Sequence, residues 1–559
     1  MNYPYENLEN FTLPSLLNRS VKLYGERPSF ANVGETPITY NAFMQKVQDI
    51  IKLLQDSGIS KGDKVLLLSE NTPNWSVAYF AITYFGAIVV PILVDFHVSE
   101  VHHIIRHSEA KAVFVSNKHL QTIEESDKTS VEFVINLDNL EIISELTNQD
   151  YISKIKQKTK EVTQKFSKNI EVLEDDLATI IYTSGTTGHS KGVMLSHKNL
   201  VTNAMCAYEK VTITTDDVFL SILPLAHTLE ATVGMTIPLL HGASVYYINK
   251  TPTPNVLIKA FSIVKPTMMI SVPLIIEKIY KNKILPKFTD SFILNSLYNI
   301  SFFRKILNKA AGKKLLETFG GRLRFFGIGG AGISRYVEEF LIEAKFPYII
   351  GYGLTETAPL LAGSVLGAKA KLGSTGSSMV GVELKIKDPN PETGEGEIIA
   401  LSPSTMMGYY KEPSLTTEVM DDEWFLTGDL GHIDKDGFLF ISGRSKNVII
   451  GPSGENIYPE QIESLINKNQ VVLESLVMQQ DGKLIAKIHL DYEILDKMFK
   501  ANNKPDSQVA DDIKKYLENM RIEINTQISS FSRMQKFVEQ IEPFVKTPTK
   551  KIKRFLYVD

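Results

Sequence analysis

A segment rich in Gly, Ser and Thr, YTSGTTGHSKG at residues 182–192, limits the possible folds of this chain most strongly. It follows the apolar run 178–182, whose residues predict a strand that leaves a sheet into a flexible turn. Such a turn surrounds phosphate oxygens with backbone N–H groups, hydroxyls and one mobile positive charge. The residues expected to contact phosphate are Thr183, Ser184, Gly185, Thr186, Thr187, Gly188 and Lys191.

Two other interpretations of this segment have to be considered. Clusters of this composition also form ordinary surface turns. The P-loop of many nucleotide hydrolases requires Gly directly before its Lys and Ser or Thr directly after it, whereas Lys191 follows Ser190 and precedes Gly192. We therefore predict a nucleoside triphosphate site in a different fold.

Further motifs follow the turn in a fixed order along the chain. They are GIGGAG at 327–332, GYGLTETAP at 351–359, WFLTGDLG at 424–431, GRSKNVII at 443–450, GENIYPEQIE at 454–463 and TPTKKIKR at 547–554. Together with the turn, they resemble the motifs of the adenylate-forming enzymes, which include acyl-CoA synthetases, peptide-synthetase adenylation domains and beetle luciferases. This resemblance spans nearly the whole chain and implies that ATP is a substrate.

The resemblance also implies how adenosine is held. Tyr352 would stack on adenine, with Gly353 beside it, opposite a backbone turn. Asp429 would accept the two ribose hydroxyls with help from Arg444. The residues of the opposing turn are Gly329, Gly330 and Ala331.

The reacting groups are assigned in the same way. Thr355 would contact the α-phosphate, and Mg²⁺ would be held by Glu356 and Thr187 together with phosphate oxygens. The family's mobile lysine, which bridges the carboxylate and the α-phosphate, falls on Lys551. The Gly that usually precedes this lysine is Lys550 here, so the neighbouring lysine remains an alternative.

The residues after 445 resemble the family's small, rotating domain. We expect domains at 1–445 and 446–559, with Lys446 as the hinge, because 559 residues are too many for one ordinary core. After rotation, a thiol would reach the acyl carbon past the loop of Gly451, Gly454 and Glu455. CoA is the expected thiol, and an acyl carrier protein remains an alternative.

The acid is inferred from LPLAHTLE at 223–230, which is similar to the segment found in fatty acyl synthetases. By this resemblance, His227 lies where the acyl pocket meets the thiol tunnel, although a His in an apolar stretch is often only a core residue. Peptide-synthetase domains carry an Asp here to pair with an amino group, whereas residues 227–235 contain only Glu230. A medium- or long-chain fatty acid is expected, with an aryl acid as an alternative.

Hydrophobic periodicity predicts an α/β fold. Helices at 38–58, 73–85 and 100–107 alternate with strands at 64–68, 87–94 and 112–116, which favours mainly parallel sheets covered by helices. The large domain would also contain a β-subdomain, with a hairpin turn at 434–437. The small domain would be α+β and include helices at 459–466 and near 511–528.

Composition and charge limit the partners. A net charge of -4 gives no reason to expect nucleic acid. The uncharged interval between Glu70 and Asp95 is long enough to span a bilayer, but Gly86 and Pro91 divide it, so a buried helix and strand are favoured. The Lys-rich stretch 151–168 could touch anionic lipid at the inner face of a membrane or be a solvated helix face. A single Cys and no secretory signal suggest a cytoplasmic protein.

Overall fold

The computed structural model describes residues 3–124, 130–143, 171–183, 190–289, 291–451, 455–499, 504–548 and 551–558. Several residues singled out in the sequence lie outside these ranges. They are Ser184, Gly185, Thr186, Thr187, Gly188, Gly454, Lys550 and the Lys-rich stretch 151–168.

The first of two eight-stranded sheets contains the strand that leads into the Gly/Ser/Thr turn. Its central strands are parallel, whereas the pairs at its edges are antiparallel. The predicted strand Lys64–Leu68 is confirmed with its bounds, and its last four residues are almost fully buried because both faces of a parallel sheet are covered. In spatial order the strands are Gly408–Tyr409, Lys191–Ser196, Leu177–Thr183, Ile88–Ile92, Lys64–Leu68, Ala112–Val115, Phe133–Asn136 and Glu141–Ile142.

The second eight-stranded sheet presents the carboxyl ends of several strands at one edge. Its first six strands are parallel and its last two are antiparallel. The loops after the parallel strands therefore meet on the same side of the sheet. In spatial order the strands are Phe30–Asn32, Ser244–Tyr247, Val218–Ser221, Met268–Ser271, Phe325–Ile328, Tyr348–Gly353, Leu360–Gly363 and Ser377–Ser378.

Helices surround these sheets, and their caps follow from the sequence. Helix Pro73–Tyr84 starts as predicted, because the Thr72 side chain accepts from the N–H of Trp75 and Pro73 occupies the first turn. None of the described helices combines the length and hydropathy that a bilayer crossing needs. The α-helices are Leu13–Tyr24, Tyr40–Asp56, Pro73–Tyr84, Val98–Ser108, Leu120–Glu124, His197–Met205, Ile237–His241, Pro254–Val264, Pro273–Ile279, Pro286–Thr289, Phe292–Tyr298, Ser301–Thr318, Arg335–Glu343 and Pro413–Glu418, with π-helical segments at Glu230–Thr236 and Tyr280–Ile284.

An antiparallel sheet forms the predicted β-subdomain. The predicted hairpin turn is confirmed, since Asp434 accepts hydrogen bonds from the N–H groups of Asp436 and Phe438, and Gly437 has a φ of 80°. The turn joins two long strands that lead toward the C-terminal residues. The strands of this sheet are Glu383–Lys387, Gly396–Leu401, Met420–Asp421, Trp424–Ile433 and Leu439–Arg444.

The residues after 448 pack into a separate hydrophobic cluster of α+β composition. Helix Pro459–Ile466 has its predicted bounds, and the predicted helix near 511–528 begins and ends earlier, at Asp506–Asn525. Together with the sheets above, this confirms the α/β fold class. The strands of this part are Ile449–Ile450, Asn456–Ile457, Val472–Gln480, Lys483–Leu490 and Lys536–Glu539, and its third α-helix is Tyr492–Phe499.

Candidate active site

The carboxyl edge of the second sheet brings distant motifs together. Strand Phe325–Ile328 runs beside strand Tyr348–Gly353, so the turn of Gly329, Gly330 and Ala331 lies next to Tyr352. A Cβ placed on Gly329 would lie 3.7 Å from the carbonyl oxygen of Gly351, which measures this closeness. Ligands bind at this edge of parallel sheets, so both motifs lie where a nucleotide is expected.

Tyr352, Asp429 and Arg444 form one connected group. The Tyr352 hydroxyl donates to one oxygen of Asp429 at 2.8 Å, and Nε of Arg444 pairs with the other at 2.7 Å. Asp429 is 5% exposed, and burial raises the pKa of its carboxyl while the Arg444 guanidinium opposes that shift. The sequence assigned all three to adenosine, and the structure joins them through direct contacts.

Glu356 and Lys191 meet at Tyr409, a residue that the sequence motifs do not include. The Tyr409 hydroxyl donates to Oε1 of Glu356 at 2.9 Å, and Nζ of Lys191 lies 5.0 Å from the centre of the same ring. The contact exists because strand Lys191–Ser196 pairs with strand Gly408–Tyr409. A partly exposed carboxylate beside a lysine that follows the phosphate turn fits a Mg²⁺–phosphate group, since Mg²⁺ prefers oxygen ligands.

The loop that carries Thr355 and Glu356 is held by Asn203, which the sequence also failed to identify. The buried amide of Asn203 donates to the carbonyl oxygens of Thr357 and Leu360, both at 3.0 Å, and accepts from the N–H of Leu360 at 3.1 Å. This amide therefore fixes the position of the loop relative to helix His197–Met205.

Gly353 has a steric reason to be glycine. A Cβ at this position would lie 1.7 Å from the carbonyl oxygen of Pro359, which is far inside van der Waals contact. The strand and the returning loop can approach this closely only without a side chain, so the shape of the site requires glycine at this position.

Lys551 reaches the same cleft from the C-terminal tail. The side chain keeps contact with solvent, yet the surrounding protein lowers its pKa, first by burial and then by the charge of Arg444. Asp429 and Glu356 act in the opposite direction, and Lys551 in turn lowers the pKa of His227. The ammonium therefore lies within electrostatic reach of the groups assigned to ribose, metal and acyl binding.

Hydrogen bonds and an ion pair fix the conformation of the C-terminal tail around Lys551. Its carbonyl oxygen accepts from the N–H of Thr547 at 2.7 Å, and its N–H donates to the Thr547 hydroxyl at 3.1 Å. Further along, Arg554 pairs with the carboxylate of Glu463 at 2.5 Å and donates to the carbonyl oxygen of Val477 at 3.2 Å. These contacts direct Lys551 to the cleft.

His227 is held as a neutral imidazole. Its Nδ1 accepts from the N–H of Leu229 at 3.2 Å, so the proton of the neutral ring resides on Nε2. Burial and then the charge of Lys551 lower the pKa of His227 to about 4. At neutral pH the ring can therefore donate a hydrogen bond from Nε2 without carrying a charge.

Glu230 is buried, and its carboxyl group is mainly protonated at neutral pH. It is 1% exposed, and burial raises its pKa to about 8. A Cβ on Gly234 would lie 2.5 Å from Oε1 of Glu230, which shows how tightly the π-helical segment encloses the carboxyl. The hydroxyl of Thr232 in this segment donates to the carbonyl oxygen of Ala358 at 2.9 Å, which connects the segment with the Glu356 loop.

Glu230→Gln is expected to flatten the pH dependence of thermal stability. The pKa of Glu230 in the folded protein, about 8, exceeds the ordinary value of 4.5, so folding retains a proton that the unfolded chain releases above that ordinary value. This carboxyl therefore makes the free energy of unfolding fall with rising pH by up to about 1.4 kcal/mol per pH unit until about pH 8. Melting temperatures measured from about pH 5 to pH 9 should show a flatter curve in the variant.

The exposed Glu317 supplies the control for this measurement. Glu317→Gln should leave the melting curve against pH parallel to that of the wild type. If Glu230→Gln also gives a parallel curve, the buried, protonated state of Glu230 is wrong.

The predicted hinge, Lys446, and the described residues of the predicted thiol loop, Gly451 and Glu455, follow Arg444 closely in the chain. Lys446 is exposed in the single 3₁₀ turn Ser445–Asn447, directly after strand Leu439–Arg444. In the following loop the N–H of Gly451 donates to the carbonyl oxygen of Glu455 at 2.8 Å. A cavity of about 900 Å³ opens beside Gly451 and Glu455, and none of the cleft residues described above lines it.

Several side-chain contacts join the two parts of the chain in this orientation. The Tyr458 hydroxyl donates to Oε2 of Glu395 at 3.1 Å, and the side-chain amide of Gln461 donates to the carbonyl oxygen of Ser442 at 3.4 Å. Nζ of Lys281 donates to the carbonyl oxygen of Val472 at 2.5 Å and lies 3.5 Å from that of Asn467, at the end of helix Pro459–Ile466. These carbonyl oxygens hold the ammonium group, although burial lowers the pKa of Lys281 to about 8.

Comparisons with known proteins agree with this geometry. A family model described as AMP-binding enzyme matches residues 17–410. Long chain acyl-CoA synthetase 1 of Arabidopsis thaliana is 32% identical, over 78% of this chain and 70% of that protein. Fatty acyl-CoA synthetase B of Dictyostelium discoideum is 30% identical, over 87% of this chain and 77% of that protein.

Other similar proteins include a ligase named for an acyl carrier protein and two solved structures with bound ATP. A long-chain-fatty-acid–[acyl-carrier-protein] ligase of Arabidopsis thaliana, AEE15, is 28% identical over 85% of this chain and 76% of its own length. ATP-bound MatB from Rhodopseudomonas palustris has a TM-score of 0.75 at 24% identity and 98% coverage of both chains. O-succinylbenzoate CoA synthetase from Bacillus subtilis, in complex with ATP and magnesium ion, has a TM-score of 0.73 at 22% identity, with 97% of this chain and 98% of that chain covered.

Proposed function

The chain belongs to the AMP-binding enzyme family and is an acid–thiol ligase of that family, and we propose that its acid is a medium- to long-chain fatty acid and its thiol CoA. The first half-reaction is supported chiefly by the electrostatic interactions of Lys551 with Asp429, Glu356 and His227. A cation at that position can neutralise charge on both reacting partners.

In the first half-reaction, a carboxylate oxygen attacks the α-phosphorus of ATP and pyrophosphate leaves. Lys551 contacts the carboxylate and the α-phosphate, while Thr355 donates to the α-phosphate. Lys191 and the 184–188 turn hold the leaving phosphates. When Mg²⁺ is bound, it spreads the charge of the phosphate oxygens, and Glu356 and Thr187 are its proposed ligands. Such transfers are accelerated mainly by positioning and by neutralising charge.

In the second half-reaction, the thiol sulfur attacks the acyl carbon and AMP leaves. Because Lys551 is assigned to the first half-reaction, we propose that residues 446–559 then rotate about Lys446 as a mobile domain, which moves the lysine away and admits the thiol. The loop with Gly451, Gly454 and Glu455 would then line the thiol path. The separate hydrophobic cluster after residue 448 and the exposed position of Lys446 support such a movement.

The acid is proposed from the His227 segment and from the named relatives. Neutral, buried Glu230 is a poor partner for an ammonium group, which favours a substrate without an amino group. The two synthetases named above act, by their names, on long-chain or fatty acyl substrates. A protein of similar fold is named as a synthetase for O-succinylbenzoate, so an aryl acid is the competing substrate.

A panel of carboxylic acids tests this assignment. Pyrophosphate release with acetate, hexanoate, octanoate, dodecanoate, palmitate, oleate and an aryl acid should show kcat/KM rising from hexanoate to dodecanoate. Burying each CH₂ contributes about 0.8 kcal/mol, which corresponds to roughly fourfold per CH₂ where the pocket excludes water. Higher kcat/KM with acetate or an aryl acid than with palmitate would rule out the fatty acid.

The acceptor is tested separately. With a preferred acid, thioester formation is measured with CoA, with holo acyl carrier protein and with both in competition. The AEE15 relative makes the carrier protein a specific alternative. Preferential labelling of the carrier protein at equal concentration would replace CoA in the proposal and leave the adenylation step unchanged.

A further inference from the structure

Two neighbouring helices, Phe292–Tyr298 and Ser301–Thr318, present large apolar side chains to solvent. Phe292 is 86% exposed and Phe302 is 68% exposed, values far from those of core residues. The rings of Phe302 and Phe303 lie in contact, with 5.4 Å between their centres, and exposed apolar side chains grouped in this way are typical of interaction sites. The apolar patch consists of Phe292, Ile293, Ile300, Phe302, Phe303 and Ile306.

Helix Ser301–Thr318 carries part of the patch, and side chains on its opposite face contact helix Arg335–Glu343. Arg304 pairs with Glu343 at 2.8 Å and with Glu339 at 3.0 Å, and the amide of Asn308 donates to Glu343 at 2.7 Å. Gly312, one turn further, lets the helix approach closely, because a Cβ there would lie 2.5 Å from the carbonyl oxygen of Ala344. These contacts fix which residues of the helix face outward.

Helix Phe292–Tyr298 is fixed to helix Ser301–Thr318. The Tyr298 hydroxyl donates to Oδ1 of Asn308 at 3.0 Å, and the Tyr298 ring stacks on Phe288 with 5.0 Å between ring centres. The exposed side chains at both ends of this short helix are therefore part of a defined surface.

Positive charge surrounds the patch. Between residues 278 and 316 the sequence has nine Lys and Arg and one Asp, whereas the whole chain has a net charge of -4. Along helix Ser301–Thr318 the outward positions change from apolar near its start to basic near its end. The exposed lysines of the region are Lys278, Lys283, Lys287, Lys305, Lys309, Lys313 and Lys314.

We propose that the apolar patch and its lysines form a docking surface for an anionic lipid bilayer. Phe and Ile side chains would enter the boundary between headgroups and acyl chains, while the lysines contact lipid phosphates. Apolar side chains beside basic ones on a helix surface are typical of interfacial helices, and each Lys near an anionic leaflet adds attraction that salt screens. This inference does not depend on the fatty-acid assignment.

Vesicle co-sedimentation of the full chain tests the docking surface. Vesicles contain phosphatidylcholine alone or phosphatidylcholine mixed with phosphatidylglycerol. The wild type should partition more strongly to the anionic vesicles, and added salt should weaken the binding. The double variant Phe292→Ser/Phe302→Ser should bind about tenfold more weakly or worse, because two aromatic side chains no longer enter the lipid.

Matched variants separate the patch from general surface effects. Leu23→Ser/Ile541→Ser removes two exposed apolar side chains elsewhere and should bind like the wild type. Lys309→Glu/Lys313→Glu should lose about tenfold on anionic vesicles, whereas Lys435→Glu/Lys497→Glu should lose much less. An unchanged thermal unfolding midpoint shows that each variant is folded.

Three outcomes would overturn the proposal. The first is equal binding of the wild type to neutral and anionic vesicles. The second is wild-type binding by Phe292→Ser/Phe302→Ser. The third is a wild-type dimer, detected by light scattering, that does not bind vesicles and becomes a monomer in Phe292→Ser/Phe302→Ser. That result would assign the patch to a second copy of the chain.

Discussion

Replacing Lys551 with Ala is expected to slow acyl-adenylate formation by on the order of a thousandfold or more. The ammonium is the cation that the tail brings to the cleft, where burial and Arg444 lower its pKa while Asp429 and Glu356 raise it. Thioester formation from supplied acyl-adenylate should remain near the wild-type rate, because the proposed rotation moves the lysine away before that step. Pyrophosphate release and thioester formation, measured separately, give the two rates.

Neighbouring lysines provide the controls for this prediction. Lys550→Ala tests the alternative lysine of the sequence motif, and Lys553→Ala removes another positive charge from the same tail. Both variants should retain adenylation within about tenfold of the wild type, since the ion pair and hydrogen bond of Arg554 still hold the tail. Equal losses of both half-reactions in Lys551→Ala would contradict a role confined to adenylation.

Helices and strands could be predicted where neighbouring residues in the sequence determine them. Strand Lys64–Leu68 and helix Pro459–Ile466 have their predicted bounds because apolar runs and turn residues adjoin them directly. The helix start at Thr72 and Pro73 depends on neighbouring residues alone, so its sequence pattern was sufficient.

The contacts that organise the site could not be predicted in the same way. Tyr409 is 53 residues from Glu356 and meets it because a short edge strand pairs with the strand after the phosphate turn. Asn203 reaches Leu360 across 157 residues. Neither residue belongs to a local motif, and such pairings depend on how the sheets assemble.

The charge state of Glu230 also required the fold. The sequence shows only a carboxyl group near His227. Whether that group is charged, and so can pair with a cation, depends on its contact with water. The structure encloses it in a π-helical segment against Gly234, and the resulting desolvation raises its pKa. The apolar patch was missed for a related reason, since Phe302 and Ile306 have the spacing expected of a buried helix face.

Glu356→Gln is expected to weaken transition-state stabilisation by about 2 to 4 kcal/mol, which is roughly 30- to 1000-fold in kcat/KM for ATP. The amide preserves the shape of the side chain and can still accept from the Tyr409 hydroxyl, which lies 2.9 Å from Oε1. The negative charge that attracts Mg²⁺ is lost, so the Mg²⁺ concentration for half-maximal activity should rise together with the KM for ATP. Steady-state titrations of Mg²⁺ at fixed ATP measure the shift.

Two variants separate metal binding from loop positioning. Tyr409→Phe removes the hydroxyl that holds Glu356 but keeps the carboxylate, so it should cost about 0.5 to 1.5 kcal/mol and change the Mg²⁺ requirement little. Glu418→Gln removes a carboxylate from an exposed position of helix Pro413–Glu418 and should behave as the wild type. If Glu356→Gln lowers kcat but leaves the Mg²⁺ titration unchanged, Glu356 acts by shaping its loop, and the metal has other ligands.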